Sequence, residues 1–544
     1  MKRNLSNLTF SNYFTNILKS NKIKDVCICP GSRNTPLSLS FLNESYFNCK
    51  NHIDERSAGF FSLGISKSTK QPSIIITTSG TAVANLLPAT IEADLSTTPL
   101  IIISADRPKH LHNTGENQTI NQNNILNNFV RESIHIEVSS IKVKTTFQRI
   151  QKMIEKSKGI KSKNPPGPIH INIGFDEPLV DESINKKIKI NKSIYKVQNT
   201  QFDIPNCRRP IIVCGKMEDG FNINEIISLS EKINAPILAD PCSGLRYNTK
   251  HENILSFYNF FINEIKPYPD FVIRFGKKPV SKKLNNFLKK IKNKIILLTK
   301  YNGYNDDAKS FYISSIKNIK INNKSKNEWI KKLQNLEKSI STKIQPYLNK
   351  KYFYEGNIIH HCLNEFDDND NLFIGNSLAI RNLDNFCPNV NKKINIYSNR
   401  GASGIDGLIA TAIGTTHNNK KSKTTLIIGD ISFFYDFNSL LIANKYKLNI
   451  NIIILNNNGG QIFNQLPYAK NNIKGFEEFW ITPIDLDIKQ ISKLYNANYF
   501  CLKSIQNIQK RLKNIIKKHG INIIEIPCIP NTTFDINKII EQEF

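Results

Sequence analysis

The stretch Thr425–Gly460 reads TLIIGDISFFYDFNSLLIANKYKLNINIIILNNNGG. Two apolar runs in it, 425–428 and 450–455, each end abruptly: Gly429-Asp430-Ile431-Ser432 follows the first and Asn456-Asn457-Asn458-Gly459-Gly460 the second. Continuous apolar runs, as opposed to alternating ones, predict strands buried on both faces, hence a parallel sheet covered by helices. Ligands of such sheets bind outside the carboxyl ends of the strands. A glycine there lets backbone approach a phosphate, an aspartate holds a divalent cation, and an asparagine on the next strand completes the oxygen coordination that Mg²⁺ prefers. Gly-Asp and Asn-Gly also make plain turns after strands, so this spacing, 24 residues from Ser432 to Leu455, needs support from the rest of the chain.

The same run-and-break pattern recurs in three groups. Val26–Cys29, Ile74–Thr77, Leu100–Ser104 and Ile169–Ile173 form the first, and Ile211–Cys214, Ile237–Ala239, Phe271–Phe275 and Ile295–Leu298 the second. Leu372–Ile374 and Ile523–Ile526 join the two runs above in the third. Polar, lysine-rich stretches separate the groups at Lys186–Asn206 and Lys317–Lys351; the latter contains an amphipathic helical pattern, Trp329, Leu333, Leu336 and Ile340. The expectation is three doubly wound α/β domains with parallel sheets, over 1–185, 207–320 and 350–544, joined by two linkers.

Composition agrees with this and excludes other classes. A chain of 544 residues is long enough for about three domains, and 40% hydrophobic with 22% charged residues excludes wholesale disorder and fibrous classes. No apolar run reaches the roughly 18 residues a bilayer requires, and Met1–Ser20 lacks the apolar core of a secretory signal. A cytoplasmic location without membrane contact is expected. The net charge is 74 − 45 = +29, which alone suggests a polyanion partner. Its lysines are dispersed, however, and accompanied by about 70 asparagines and many isoleucines. This is drift at exposed positions, and no nucleic-acid partner is expected. The 10 cysteines include no Cys-x-x-Cys pair and suit buried thiols in a reducing compartment.

The 429–460 stretch is similar to the signature of thiamine diphosphate-dependent enzymes, Gly-Asp-Gly followed some two dozen residues later by Asn-Asn, although Ile431 stands where that signature has its second glycine. Further blocks accompany it: Pro30-Gly31-Ser32-Arg33, Asp54-Glu55-Arg56, Thr78-Ser79-Gly80-Thr81-Ala82, Ala105-Asp106-Arg107-Pro108, Asn117-Gln118 and 398–407, SNRGASGIDG. In this order they resemble the 2-succinyl-5-enolpyruvyl-6-hydroxy-3-cyclohexene-1-carboxylate synthase family, the thiamine-dependent carboligases of menaquinone biosynthesis.

What the resemblance implies is decarboxylation of 2-oxoglutarate and 1,4-addition of the succinyl carbanion equivalent to isochorismate. It implies a three-domain fold and a homodimer or homotetramer with the cofactor between subunits. The cation, Mg²⁺ or Mn²⁺, would be held by Asp430, Asn457 and the backbone carbonyl of Gly459. Glu55 would hydrogen-bond the aminopyrimidine, and Ile405 would wedge the cofactor into a bent shape. Ser403 and Ser432 would contact the cofactor, and Ile462 with Phe463 would wall it. Two dicarboxylate substrates require cations, and arginine suits them because its planar fork binds carboxylate bidentately. Arg33, Arg107, Arg381 and Arg400 are the implied anchors, with Ser32, Ser377 and Lys282; Asn117 and Gln118 would hydrogen-bond substrate. Competing structural readings are a helix-start or surface ion pair for Glu55, a strand cap for Arg107, one lysine among many for Lys282 and core for Ile405. Two further positions depart from the family pattern: Lys283, where an arginine is often found, and Gln461, where some relatives carry glycine.

Overall fold

The computed structural model describes residues 5–160, 164–182, 200–217, 220–301, 306–321, 326–417, 422–471 and 473–543. Three six-stranded, all-parallel sheets organise them. From edge to edge the first runs Asn48–Asn51, Asp25–Ile28, Ser73–Thr77, Leu100–Asp106, Pro168–Gly174, Ser133–Glu137. The second runs Ile254–Leu255, Ile237–Ala239, Pro210–Cys214, Phe271–Phe275, Ile295–Thr299, Lys309–Tyr312. The third runs Asn395–Tyr397, Asn371–Ile374, Thr424–Gly429, Ile450–Asn456, Ile521–Pro527, Asn498–Cys501. The predicted α/β class with parallel sheets is therefore observed, and each of the twelve predicted runs lies in an interior strand.

Two compact units carry these sheets. One holds residues 1–196 together with 399–420 and 436–446; the other holds 197–398, 421–435 and 447–544. In the first unit the strands Ser73–Thr77, Leu100–Asp106 and Pro168–Gly174 are buried throughout, and Phe10, Phe14, Phe147 and Phe175 pack over one face of the sheet. The helix Glu55–Thr69 meets the helix Leu408–Thr415 at glycines: a Cβ on Gly64 would stand 2.1 Å from the Thr411 carbonyl oxygen and one on Gly414 2.2 Å from that of Phe61. Only residues without a side chain allow that backbone approach.

In the second unit the two stretches read as linkers meet each other. Phe202–Ile204 pairs in parallel with Ile319–Ile321, while residues 186–199 lie outside the described residues. The predicted amphipathic helix is Asn327–Ile344; Trp329, Leu333 and Ile340 are buried in the core of the second sheet, and the Trp329 indole donates to the Pro210 carbonyl at 2.9 Å. Arg246, fully buried, donates to the Ala239 carbonyl at 2.6 Å and to Asp384 Oδ1 at 2.5 Å. Removing one partner of such a pair costs about 3 to 5 kcal/mol.

All ten cysteines are free, and eight are buried; burial raises the Cys27 thiol to about 12. Among the described residues no helix is long and apolar enough to cross a membrane.

Candidate active site

In the second unit, Thr424–Gly429 and Ile450–Asn456 are adjacent and parallel, with Gly429 opposite Leu455. Asp430 and Asn457 therefore leave the sheet at one edge. Asp430 is buried at the start of the helix Asp430–Asp436. Its Oδ2 accepts the Gly459 amide at 2.7 Å and its Oδ1 the Ile431 amide at 2.9 Å. Burial pushes this carboxyl above its ordinary range, against the pull of those amides.

Asn457 donates through Nδ2 to Glu355 Oε1 at 2.5 Å, and Glu355 Oε2 accepts from Asn382 at 2.8 Å. Glu355 thereby sets the amide orientation and leaves the buried Asn457 Oδ1 without a hydrogen-bond partner. An orphaned buried acceptor costs about 1 to 3 kcal/mol, and a hard cation is the group that satisfies it without a donor proton. Gly459 has φ +120°, and a Cβ there would lie 2.3 Å from the Ile481 carbonyl oxygen; no L side chain fits the turn. Its own carbonyl accepts from the Gln461 amide at 2.9 Å. Among the described residues no group of three His, Cys, Asp or Glu side chains is arranged for a metal. The donor set is instead one carboxylate, one amide oxygen and one backbone carbonyl, which fits a cation that shares its other positions with phosphate oxygens.

The surroundings of that set agree. A Cβ on Gly429 would meet no atom within 4 Å, so space is open beside Asp430. Ser432 is buried in the helix Asp430–Asp436, and Ile462 and Phe463 are half-buried on the turn Gln461–Gln465. Gln461 is buried; it donates to the Asn458 carbonyl at 3.2 Å and accepts from Asn464 at 2.7 Å. It braces the loop from within. Ser377, at φ +63°, precedes the helix Leu378–Phe386, and the exposed Arg381 donates to the Ser377 carbonyl at 2.6 Å. Lys282 is exposed at the head of Lys282–Lys290. Lys283 is committed to the Asn259 carbonyl at 3.1 Å and Glu541 at 2.6 Å, so the second lysine is the structural one.

In the first unit Arg33 follows the strand Asp25–Ile28 and is 8% exposed. It donates to the Phe175 carbonyl at 3.0 Å and Glu177 Oε1 at 3.4 Å, while its buried Nε has no hydrogen-bond partner. Burial, and then the positive charge of Arg107, lower its affinity for its proton. Arg107 donates to Ser79 Oγ at 2.7 Å and likewise has an unsatisfied buried Nε. Gln118 meets the same serine: its Nε2 donates to the Ser79 carbonyl and its own carbonyl accepts from Ser79 Oγ, both at 3.0 Å. Ser32 and Asn117 are exposed. The two guanidinium groups thus combine positive charge with unspent donors, a pairing whose chemistry suits a carboxylate.

Glu55 is the first residue of the helix Glu55–Thr69, whose N-cap Asp54 accepts the Ser57 amide at 3.2 Å. The Glu55 carboxyl is half-buried, and burial pushes it above the usual range, with the neighbouring Asp54 charge adding to the effect. Its place at the helix start is the one that the competing structural reading also gives it. Arg400, Ser403 and Ile405 occupy one loop, with Ser403 at φ +63° and Ile405 half-buried. Ile405 is thus not a core residue. Ser79, Glu92, Glu355 and Asp436 support these residues without any spacing in the sequence that announces them.

Residues 8–125 match the family model "Thiamine pyrophosphate enzyme, N-terminal TPP binding domain", residues 184–374 "Middle domain of thiamine pyrophosphate" and residues 386–526 "Thiamine pyrophosphate enzyme, C-terminal TPP binding domain". The solved benzoylformate decarboxylase of Polynucleobacter necessarius shares the fold, with TM-score 0.72 at 15% identity over 96% of this chain and 99% of that one. This is a thiamine diphosphate-dependent enzyme.

Relatives narrow the class. The chain is 33% identical to the 2-succinyl-5-enolpyruvyl-6-hydroxy-3-cyclohexene-1-carboxylate synthase of Bacillus velezensis, over 93% of this chain and 92% of that protein. It is 34% identical to the synthase of the same name from Staphylococcus aureus, over 97% and 96%, and 33% identical to that of Listeria welshimeri, over 93% and 92%. The chain belongs to the 2-succinyl-5-enolpyruvyl-6-hydroxy-3-cyclohexene-1-carboxylate synthase family.

Proposed function

We propose that this enzyme decarboxylates 2-oxoglutarate and joins the remaining four-carbon unit to isochorismate, giving 2-succinyl-5-enolpyruvyl-6-hydroxy-3-cyclohexene-1-carboxylate in menaquinone biosynthesis. The observation that carries the substrate reading is the coupled Arg33–Arg107 pair with unsatisfied buried donors, suited to a carboxylate-rich substrate.

When bound, thiamine diphosphate supplies the nucleophilic carbon and the electron sink for decarboxylation. Asp430, Asn457 Oδ1 and the Gly459 carbonyl would hold Mg²⁺, or Mn²⁺, against the diphosphate, with Gly429 leaving room and Ser432 alongside. Glu55 would hold a proton at its carboxyl toward the aminopyrimidine; a carboxyl raised by burial retains that proton nearer neutral pH than an exposed one. Ile405, Ile462 and Phe463, together with Ser403, would shape the cofactor pocket and exclude water from it. Arg33, Arg107, Arg381 and Arg400 would anchor substrate carboxylates, helped by Ser32, Ser377 and Lys282, while Asn117 and Gln118 orient the substrate. The division into domains 1–185, 207–320 and 350–544, a cytoplasmic location, and a homodimer or homotetramer with the cofactor between subunits belong to the same proposal.

The test is loss of isochorismate absorbance with purified protein, omitting thiamine diphosphate, Mg²⁺ or 2-oxoglutarate in turn and replacing 2-oxoglutarate by pyruvate. Loss that requires all three components and fails with pyruvate is expected; loss supported by pyruvate would reassign the donor.

A further inference from the structure

The loop bearing Arg400, Ser403 and Ile405 is gripped at each end by a buried carboxylate. At its start, Glu92, 2% exposed, accepts the Gly401 amide on Oε1 at 3.0 Å and the Ala402 amide on Oε2 at 2.7 Å, and Lys67 Nζ lies 3.1 Å from Oε1. At its end, Asp436, fully buried, accepts the Ile409 and Ala410 amides on Oδ2 at 2.8 and 3.0 Å. Its Oδ1 accepts from Ser439 at 2.9 Å and lies 3.5 Å from Arg56 Nη2. Lys67 and Arg56 both project from the helix Glu55–Thr69, which Glu55 itself begins.

We propose that Glu92 and Asp436, each paired with a cation of the Glu55 helix, are positioning residues that fix the placement of Arg400 and Ile405.

The physical case rests on cost and on geometry. The buried Lys67–Glu92 pair and the fully buried Asp436 carboxylate, whose cation Arg56 is partly exposed, are expensive to desolvate, and a neutral cap would serve if the loop needed only to be closed. Charged acceptors bind backbone N–H groups about twice as strongly as neutral ones, and each carboxylate here takes two such groups from one strand end of the loop. Because both counter-cations share one rigid helix, the loop's two ends are referenced to the same element, which sets where Arg400 and Ile405 stand in the proposed function, on which this inference rests. Helix-start amides such as those of Ile409 and Ala410 ordinarily lack a partner; here they have a charged one.

The effect is transmitted through Arg400 and so belongs to substrate binding more than to cofactor binding. In Glu92→Gln the side chain keeps its size but turns an N–H₂ toward one of the two amides. For the purified holoenzyme with Mg²⁺ and thiamine diphosphate, hydrogen exchange at Gly401 and Ala402 is expected to quicken at least tenfold. KM for one of the two dicarboxylates should rise about tenfold, cofactor affinity should stay within twofold, and Glu92→Asp should recover part of the KM. Unchanged exchange and unchanged KM values in a folded Glu92→Gln protein would overturn the proposal. If that variant does not fold, the unaltered holoenzyme decides: slower exchange at Gly401, Ala402, Ile409 and Ala410 than at Ser403, by 100-fold or more, supports the two clamps, and equal rates overturn them. An unaltered protein that consumes no isochorismate would count against the proposed function alone, since the exchange pattern is read independently of turnover.

Discussion

Gly429→Ala separates what the protein needs from what its ligand needs. Apart from the glycine and its two chain neighbours, no atom of the protein comes within 4 Å of the position a Cβ would take, and Gly429 is not among the glycines with positive φ. In the ligand-free protein the substitution therefore meets neither a clash nor backbone strain, and the loss of unfolded-state freedom should stabilise it by about 0.4 to 1 kcal/mol. With the cofactor the sign reverses. A Cβ stands about 1.5 Å beyond Cα, so a phosphate oxygen in contact with the backbone at this glycine must retreat by about 1 Å, and misplacement of that size costs on the order of 100-fold in rate. The loss in cofactor affinity should be at least tenfold, about 1.4 kcal/mol. Thermal unfolding without ligand, followed by calorimetric titration of thiamine diphosphate in Mg²⁺, measures both terms. A variant that binds the cofactor as tightly as the unaltered protein would refute the assignment of this space to the diphosphate; one destabilised by more than 1 kcal/mol without ligand would refute the reading that the space is free.

Three further outcomes are expected. Glu55→Gln should abolish turnover while retaining cofactor affinity, because the Asp430 cluster is untouched; Asp430→Asn should lose cofactor affinity. If the site is shared, mixing the two inactive variants should restore activity, since a hybrid dimer pairs an intact Glu55 with the intact Asp430 of the partner subunit; no recovery despite demonstrated subunit exchange would contradict a shared site. Arg400→Ala should reduce kcat/KM by about 2 to 5 kcal/mol of transition-state stabilisation if it pairs a desolvated carboxylate, and unchanged kinetics for both substrates would remove it from the site. His170 is fully buried against Ser104, and burial, then the His135 charge, lowers its pKa from 6.5 to about 4. The unfolded state then binds the extra proton, so stability is full above pH 6.5 and falls as pH drops towards 4, by on the order of 3 kcal/mol. Urea denaturation across that window should be less steeply pH-dependent in His170→Gln; an identical slope would show that His170 is not the group responsible.

Within the three six-stranded sheets, the strands that the apolar runs do not mark share one position. Asn48–Asn51, Ser133–Glu137, Ile254–Leu255, Lys309–Tyr312, Asn395–Tyr397 and Asn498–Cys501 are the six sheet edges. Five of them are partly exposed and carry no continuous apolar run, so the pattern that revealed Leu100–Asp106 is absent from them, while Ile254–Leu255 is buried but only two residues long. The site divides in the same way. That Asp430 and Asn457 stand at the ends of adjacent strands was legible because those strands end together and their spacing survives in sequence; Gly459 was named only through the family resemblance. Glu355 lies 102 residues from the Asn457 amide it orients, and Glu92 lies 309 from Gly401. Such partners are set by tertiary packing, and nothing local in their sequence neighbourhood distinguishes a buried acid that aims an amide from one on the surface. Of the two positions that depart from the family pattern, Gln461 is buried and braces the Asn458 turn, while Lys283 forms an exposed ion pair with Glu541.

The most direct test of the central claim is the ratio of carbon dioxide released from 2-oxoglutarate to isochorismate consumed, measured together in one reaction with thiamine diphosphate and Mg²⁺. The account predicts equal amounts, with consumption of isochorismate strictly dependent on 2-oxoglutarate. Carbon dioxide release that leaves isochorismate intact would contradict it, and would make this chain a 2-oxo acid decarboxylase on the same fold.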